Sequence, residues 1–313
     1  MKKFLSLLII IALSLSFTSC RNKKVTKQSF AFDTVVTITA DKKYQKEVSE
    51  ALSLCQDYEL VFSRTNEKSE LYKTNNGEVS DLSKDLKKAV EFSLLMSELT
   101  DGAFDITVTP LIDLWDVKNR TTPPSQEEIE KAMENVGYES IKSSPFFSGG
   151  KTLDMGAVAK GYIADRLIEH FREKGIEEII IDLGGNVALI GEHNVGIRDP
   201  KNPDNIFAVI SVRDKSIVTS GAYQRYFEYE GERYHHIIDP KTGYPADGDI
   251  ASVTVVSPSS MVADALSTSI FILGEDALSL CDEFEDTDAI IIKKDMTTVT
   301  TEGFSEKYHL EYK

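Results

Sequence analysis

The stretch Asp154-Met155-Gly156-Ala157-Val158-Ala159-Lys160-Gly161-Tyr162-Ile163-Ala164-Asp165 constrains this chain more than any other, because it sets a turn of small residues at the mouth of a helix. Backbone N–H groups and the positive end of a helix dipole face outward at such a place, and both attract anions. Gly156 and Ala157 carry so little side chain that a ligand can approach the main chain closely. Lys160 adds a cation one turn further on. From Ile163 onward the pattern is amphipathic, with Ile163, Leu167 and Phe171 at i, i+4 and i+8 beside Ala164 and Ile168, and Gly175 stands where the helix has to end. A strand-turn-helix joint whose glycine serves packing alone would look the same locally, so the remaining segments decide.

The 313 residues, 41% of them hydrophobic, suffice for one large core or two of ordinary size. Residues 1–19 read as a secretory leader outside that fold: Lys2 and Lys3 precede an apolar run from Phe4 to Phe17, too short for a membrane span. The run ends Phe17-Thr18-Ser19-Cys20, which resembles the lipobox of bacterial lipoproteins. That implies cleavage before a lipid-modified Cys20 and a protein anchored at the extracytoplasmic or periplasmic face of the inner membrane; plain secretion is the competing reading. Residues 20–29 then form the lipid anchor and a polar, basic tether, with the folded domain spanning 30–313. Apart from Cys20 only Cys55 and Cys281 remain, which excludes a disulfide framework and favours two buried thiols. The formal charge of −16 becomes −18 once Lys2 and Lys3 leave with the leader, and nucleic acid is excluded as a partner. An acidic protein that handles an anionic ligand has to gather positive charge locally, through a metal ion, a helix N-terminus or a few placed Lys and Arg residues.

In chain order, Phe32 to Ala40 alternates as a β-branched strand, and helices are expected over about 46–60 and 84–99. Asp101-Gly102 stops the second helix, and Ala103-Phe104-Asp105-Ile106-Thr107-Val108-Thr109-Pro110-Leu111 follows, with the single tryptophan at Trp115. Ser125 through Glu128 reads as a capping box for a helix that Gly137 closes. Phe146 to Leu153 reads as a hairpin turning at Ser148-Gly149-Gly150. Glu178 to Leu183 is a buried-type strand ending at Gly184-Gly185-Asn186, and another strand covers about 207–212. A late helix from about Met261 to Leu273 is capped by Ser259 or Ser260 and ended by Gly274. With no repeat and no regular βα alternation, the order of elements predicts mixed α+β layers.

Asp264 and Thr268 are i and i+4 on that late helix, so both oxygens share one face. One carboxylate and one hydroxyl make a sparse site, suited to Mg²⁺ that shares its shell with waters and a substrate phosphate. The competing picture is an exposed aspartate beside a threonine bonded back to its own helix. In Tyr234-His235-His236-Ile237-Ile238-Asp239-Pro240-Lys241-Thr242-Gly243, the two histidines point to opposite faces of a strand, so one of them at most serves a given site. Thr219-Ser220-Gly221 can wrap a ligand or merely turn the chain.

Together these segments resemble the ApbE family of FAD:protein FMN transferases. The resemblance runs from about Phe32 to the C-terminus. It rests on Phe104-Asp105 with Pro110, Asp154-x-Gly156-Ala157-x-x-Lys160-Gly161, Leu183-Gly184-Gly185-Asn186, Thr219-Ser220-Gly221, His236-Ile237-Ile238-Asp239-Pro240-x-Thr242-Gly243 and Ala263-Asp264-Ala265-Leu266-Ser267-Thr268. It implies an α+β fold of mostly antiparallel sheets flanked by helices, a bound Mg²⁺, and transfer of FMN from FAD to a threonine of a partner flavoprotein, with AMP released. By position, the metal ligands it implies are the Ala157 carbonyl, Asp264 and Thr268. The flavin-nucleotide contacts it implies are Phe32, Thr65, Ala103, Phe104, Asp105, Asp154, Lys160 and His236. Phe32 and Thr65 stand where members of the family have methionine and an aromatic residue, and Asp33 stands in place of a glycine. Lys160 is expected to neutralise the pyrophosphate, and His236 or Asp264 to take the proton from the attacking hydroxyl. The implied acceptor is an extracytoplasmic flavoprotein of the redox-pump type. An FAD pyrophosphatase yielding FMN and AMP is the competing enzyme, and a flavin-binding lipoprotein without turnover the competing binder; the Asp264 and Thr268 pair speaks against mere storage.

Overall fold

The computed structural model describes residues 23–79, 81–142 and 151–313. The leader, Cys20 and the turn expected at Ser148-Gly149-Gly150 lie outside them.

Alternation of apolar and polar residues along the strands builds the centre of the molecule, because it gives each strand one face to bury. In chain order the strands are β1 (Lys24–Ala31), β2 (Thr34–Asp41), β3 (Ile179–Leu183), β4 (Asn186–Ile190), β5 (Glu192–Arg198), β6 (Ile206–Arg213), β7 (Ser216–Gly221), β8 (Tyr226–Tyr229), β9 (Glu232–His235), β10 (Ile250–Ser257), β11 (Asp288–Lys293), β12 (Thr298–Thr300) and β13 (Glu311–Tyr312). Eight of them form one sheet in the order β1-β2-β3-β4-β7-β10-β11-β12, every neighbouring pair antiparallel. The strands β13-β6-β5 make a second sheet, and β8-β9 a separate hairpin.

The helices are α1 (Gln45–Phe62), α2 (Glu70–Asn75), α3 (Lys84–Leu99), α4 (Thr109–Trp115), α5 (Gln126–Met133), α6 (Glu139–Lys142), α7 (Ala159–Glu173), α8 (Ser260–Leu273) and α9 (Phe304–Lys307). One face of the large sheet, with Val36, Ile38, Ile181, Val253, Val255 and Ile291, shares a core with α1, α3, α7 and α8. The opposite face packs Leu189, Ile217, Val256, Ile290 and Ile292 against Ile210 and Val212 of the small sheet and Phe304 of α9. A third cluster joins Leu111, Trp115 and Ile129 to Phe227 and Ile238, so α4 and α5 carry the β8-β9 hairpin. These are the expected α+β layers of mostly antiparallel sheets flanked by helices.

Local chemistry accounts for the boundaries. Ile163, Leu167 and Phe171 are fully buried along α7, and Gly175 closes that helix at φ +68°. Ser125 and Glu128 form the expected reciprocal capping box of α5. Cys55 and Cys281 are buried free thiols, both pushed up to about 12 by burial. One expectation needs correction. The β-branched run starts its strand at Thr34, because Phe32 and Asp33 form a two-residue hairpin turn with φ of +55° and +58°. The preceding strand β1 takes residues read as a tether: Lys24 to Gln28 pair with Asp41 to Thr37, and that pairing, which a polar segment does not advertise, supplies their hydrogen bonds. No helix among the described residues is long and apolar enough to cross a membrane.

Candidate active site

Two helices from distant parts of the chain bring the central cluster together. Lys160 lies in the first turn of α7, and Asp264 lies one turn into α8. The Lys160 ammonium is 3.3 Å from Asp264 Oδ1, and the Gly161 N–H donates to Asp264 Oδ2 at 3.0 Å. Asp264 is only 3% exposed, so the picture of a solvated aspartate is wrong. Thr268 on the same face is half-buried, and its hydroxyl lies 3.4 Å from Ser220 Oγ, while the Ser267 and Ser269 hydroxyls bond back to carbonyls of their own helix.

The start of α7 leaves an oxygen unclaimed. Ala159 N–H bonds to the Met155 carbonyl and Tyr162 N–H to the Val158 carbonyl, but the Gly161 N–H is taken by Asp264. The Ala157 carbonyl therefore accepts no hydrogen bond among the described residues. A free carbonyl, a buried carboxylate and a hydroxyl are hard oxygen donors, and a Mg²⁺ ion completing its shell with waters and phosphate oxygens suits such a set. No cluster of three or more His, Cys, Asp or Glu side chains competes for a metal among the described residues.

The two histidines divide as strand geometry requires. His235 is buried against Phe271 of α8, with Nε2 donating to the Ala246 carbonyl and Nδ1 accepting from the Ile237 N–H. Burial pulls its imidazole down to about 4. His236 faces the other way, its Nδ1 3.3 Å from the Arg225 carbonyl. That contact puts the ring proton on Nδ1 and leaves Nε2 as a lone-pair acceptor. Burial, with the charges of Arg225, His235 and Lys160 behind it, lowers His236 to about 4 as well.

Asp154 anchors the other wall. Its Oδ1 accepts from Gly156 N–H at 2.7 Å, its Oδ2 pairs with Arg64 Nε at 2.7 Å, and its own N–H bonds to the Ile106 carbonyl. Arg64 also holds Asp113 of α4 at 2.7 Å. Ala103, Phe104 and Asp105 are buried in the adjoining loop. Asp105 Oδ1 is spent on the Thr107 N–H and hydroxyl of that loop and Oδ2 on the Tyr138 N–H before α6; burial raises the carboxyl. Phe32 sits in the β1-β2 turn with its N–H on Glu59, and Thr65 lies exposed beside Arg64. Asp33 is held below the usual carboxylate range by its 2.7 Å contact to Lys118, with Arg225 and Arg64 adding their charge.

The structure therefore joins Lys160 to Asp264 directly, carries Thr268 one turn on along the same face of α8, leaves the Ala157 carbonyl unclaimed at the start of α7, sets His236 within electrostatic reach of Lys160, and ties Asp154 to the Gly156 N–H before that start. Arg64, Lys118 and Arg225 are the local cations that an acidic chain needs, and no motif in the sequence assigns them that role. Arg64 stands in the polar stretch Ser63-Arg64-Thr65-Asn66 that follows α1, whereas Lys118 and Arg225 carry no local signal.

Fold and site together define an α+β protein of mostly antiparallel sheets in which Lys160, at the start of one helix, meets a buried aspartate of another. The chain belongs to the ApbE family, whose sequence profile matches residues 32–291. It is 34% identical over 291 residues to the FAD:protein FMN transferase of Treponema pallidum, covering 83% of this chain and 80% of that one. Its fold is similar to the crystal structure of the ApbE protein of Thermotoga maritima, with TM-score 0.81, 30% identity and coverage of 91% of this chain and 99% of that one. The flavin transferase ApbE of Vibrio cholerae gives TM-score 0.79 at 26% identity with the same coverage.

Proposed function

We propose that this chain is a Mg²⁺-dependent FAD:protein FMN transferase that esterifies a threonine hydroxyl of an extracytoplasmic flavoprotein and releases AMP. As a member of its family it is an enzyme of the flavin-transferase type. The observation that carries the finer reading is the buried Asp264 carboxylate held by Lys160 and the Gly161 N–H, with Thr268 one turn on along the same helix face and the Ala157 carbonyl unclaimed at the start of α7. A storage protein has no need to bury a carboxylate at an anion site. Ala157, Asp264 and Thr268 would hold the Mg²⁺, which when bound supplies charge neutralisation for the pyrophosphate oxygens.

The chain's own groups perform the rest. The N–H groups at the start of α7 and the Lys160 ammonium bind and orient the pyrophosphate. In the transfer, an O–P bond forms between the threonine oxygen and the FMN phosphorus while the P–O bond to AMP breaks, leaving charge on the AMP phosphate. The threonine proton goes to His236 Nε2, which is unprotonated at neutral pH because burial keeps the ring neutral. Cys20 would tether the enzyme to the membrane that carries its acceptor.

The test mixes the mature protein with FAD, Mg²⁺ and an extracytoplasmic flavoprotein domain and follows intact mass. A gain of one FMN on the acceptor, matched by AMP, is expected. Free FMN and AMP without adduct would replace the transferase by the pyrophosphatase, and FAD recovered intact would leave a flavin binder.

A further inference from the structure

Asp165 lies one turn beyond Gly161 on α7, half-buried, with its carboxylate set onto the start of α8. Its Oδ1 accepts from the Ser260 N–H at 2.6 Å. Its Oδ2 accepts from the Ser259 hydroxyl at 2.7 Å and the Met261 N–H at 3.1 Å. Ser259 in turn caps the Val262 N–H. The unsatisfied donors of the α8 N-terminus are thus met by a carboxylate borrowed from another helix, with the helix dipole favouring the charge. The contact is tight beside it: a Cβ added at Gly161 would lie 2.4 Å from the Ser260 carbonyl oxygen.

We infer that Asp165 is a positioning residue that clasps α8 to α7 and thereby sets Asp264 and Thr268 against Lys160 and the Ala157 carbonyl; this rests on the Mg²⁺ reading above. Between the clasp and Asp264 lies one turn of α8, so a displaced helix start moves the carboxylate away from α7. Supporting groups of this kind govern metal affinity without touching the metal.

The isosteric substitution Asp165→Asn tests it. An amide keeps one acceptor for Ser260 and turns a donor onto Met261 N–H and the Ser259 hydroxyl. Calorimetric titration of the full mature protein with MgCl₂ should show affinity lowered by about tenfold to a hundredfold, and FMN transfer should recover at high Mg²⁺. Ile210→Ala, in the core on the opposite sheet face, is the control for lost stability alone and should keep wild-type Mg²⁺ affinity. Should Asp165→Asn fail to fold, Ser259→Ala removes one clasp bond and is expected to lower affinity less. Wild-type Mg²⁺ affinity in a folded clasp variant, or an equal loss in Ile210→Ala, overturns the inference. A wild-type protein that binds no Mg²⁺ instead sinks the functional reading before it.

Discussion

Lys160 has two partners to serve, the Asp264 carboxylate it already holds at 3.3 Å and the pyrophosphate it is proposed to meet. Lys160→Met keeps the stem's packing and removes the charge. Asp264 would then be a buried carboxylate whose remaining described partner is the Gly161 N–H, a loss on the order of 1–3 kcal/mol given that Lys160 is partly exposed. The expected outcome is a variant with a lowered Tm that Mg²⁺ raises more than it raises the wild type's. FMN transfer should fall by about a hundredfold in kcat with a smaller loss of FAD affinity. Equal Mg²⁺ responses of the two Tm values would show that Lys160 and the metal do not share Asp264. Individual residues were legible where a motif repeats a chemical need: Asp264, Thr268, Lys160 and the division of labour between His235 and His236. Burial was not, which is why Asp264 read as a surface group. Lys118 and Arg225 were invisible, and Arg64 had no legible role, because their roles depend on chain segments brought together only by the fold.

Among the elements, the β1-β2 hairpin shows how far pattern reasoning reaches. Helix α3 falls at Lys84–Leu99, as its apolar spacing requires, and the Ser259 cap and Gly274 end of α8 are equally plain. β1 escaped notice because Lys24, Lys27 and Gln28 are polar and the strand exists through its partner. The hairpin's turn carries Asp33 at φ +58° among the charges of Lys118, Arg225 and Arg64. Asp33→Gly relieves the backbone while adding chain entropy and removing an exposed ion pair of little worth, so stability should stay within about 0.5 kcal/mol. Removing that negative charge also frees Lys118 and makes the potential beside Arg225 and Arg64 more positive for an anionic substrate. FAD binding should tighten by roughly two- to fivefold at low salt, and the gain should vanish at high salt. Fluorescence titration with FAD at two ionic strengths checks it, and weaker binding at low salt would show that Asp33 contributes a contact of its own.

At the scale of the whole molecule, a chain of net charge −16 still sets Lys160 against Asp264 and Arg64 against Asp154, and His235 ties the strand that leads into His236 to Phe271 of the main core. This tie makes the fold sensitive to acid. The His235 ring gives its Nε2 proton to Ala246 and takes one hydrogen bond at Nδ1 from Ile237, so protonating Nδ1 both breaks that bond and buries a charge. Its pKa, near 6.5 in the unfolded chain, is down to about 4 in the fold. Below pH 6.5 the unfolded chain therefore takes up a proton that the folded chain refuses. The contribution is present in full above pH 6.5, declines as pH falls from 6.5 toward 4, and levels off below that. Its size is on the order of 2–3 kcal/mol. Asp105 and Asp165, raised by burial, act in the opposite sense at the acid end of this window, so the wild-type curve alone does not isolate the histidine. His235→Gln does, because an amide can donate to Ala246 without titrating. Chemical denaturation at pH 7.5 and pH 4.5 should show the gap between wild type and variant shrinking by about that amount toward the lower pH. A gap that stays constant would mean His235 is as easily protonated in the fold as outside it.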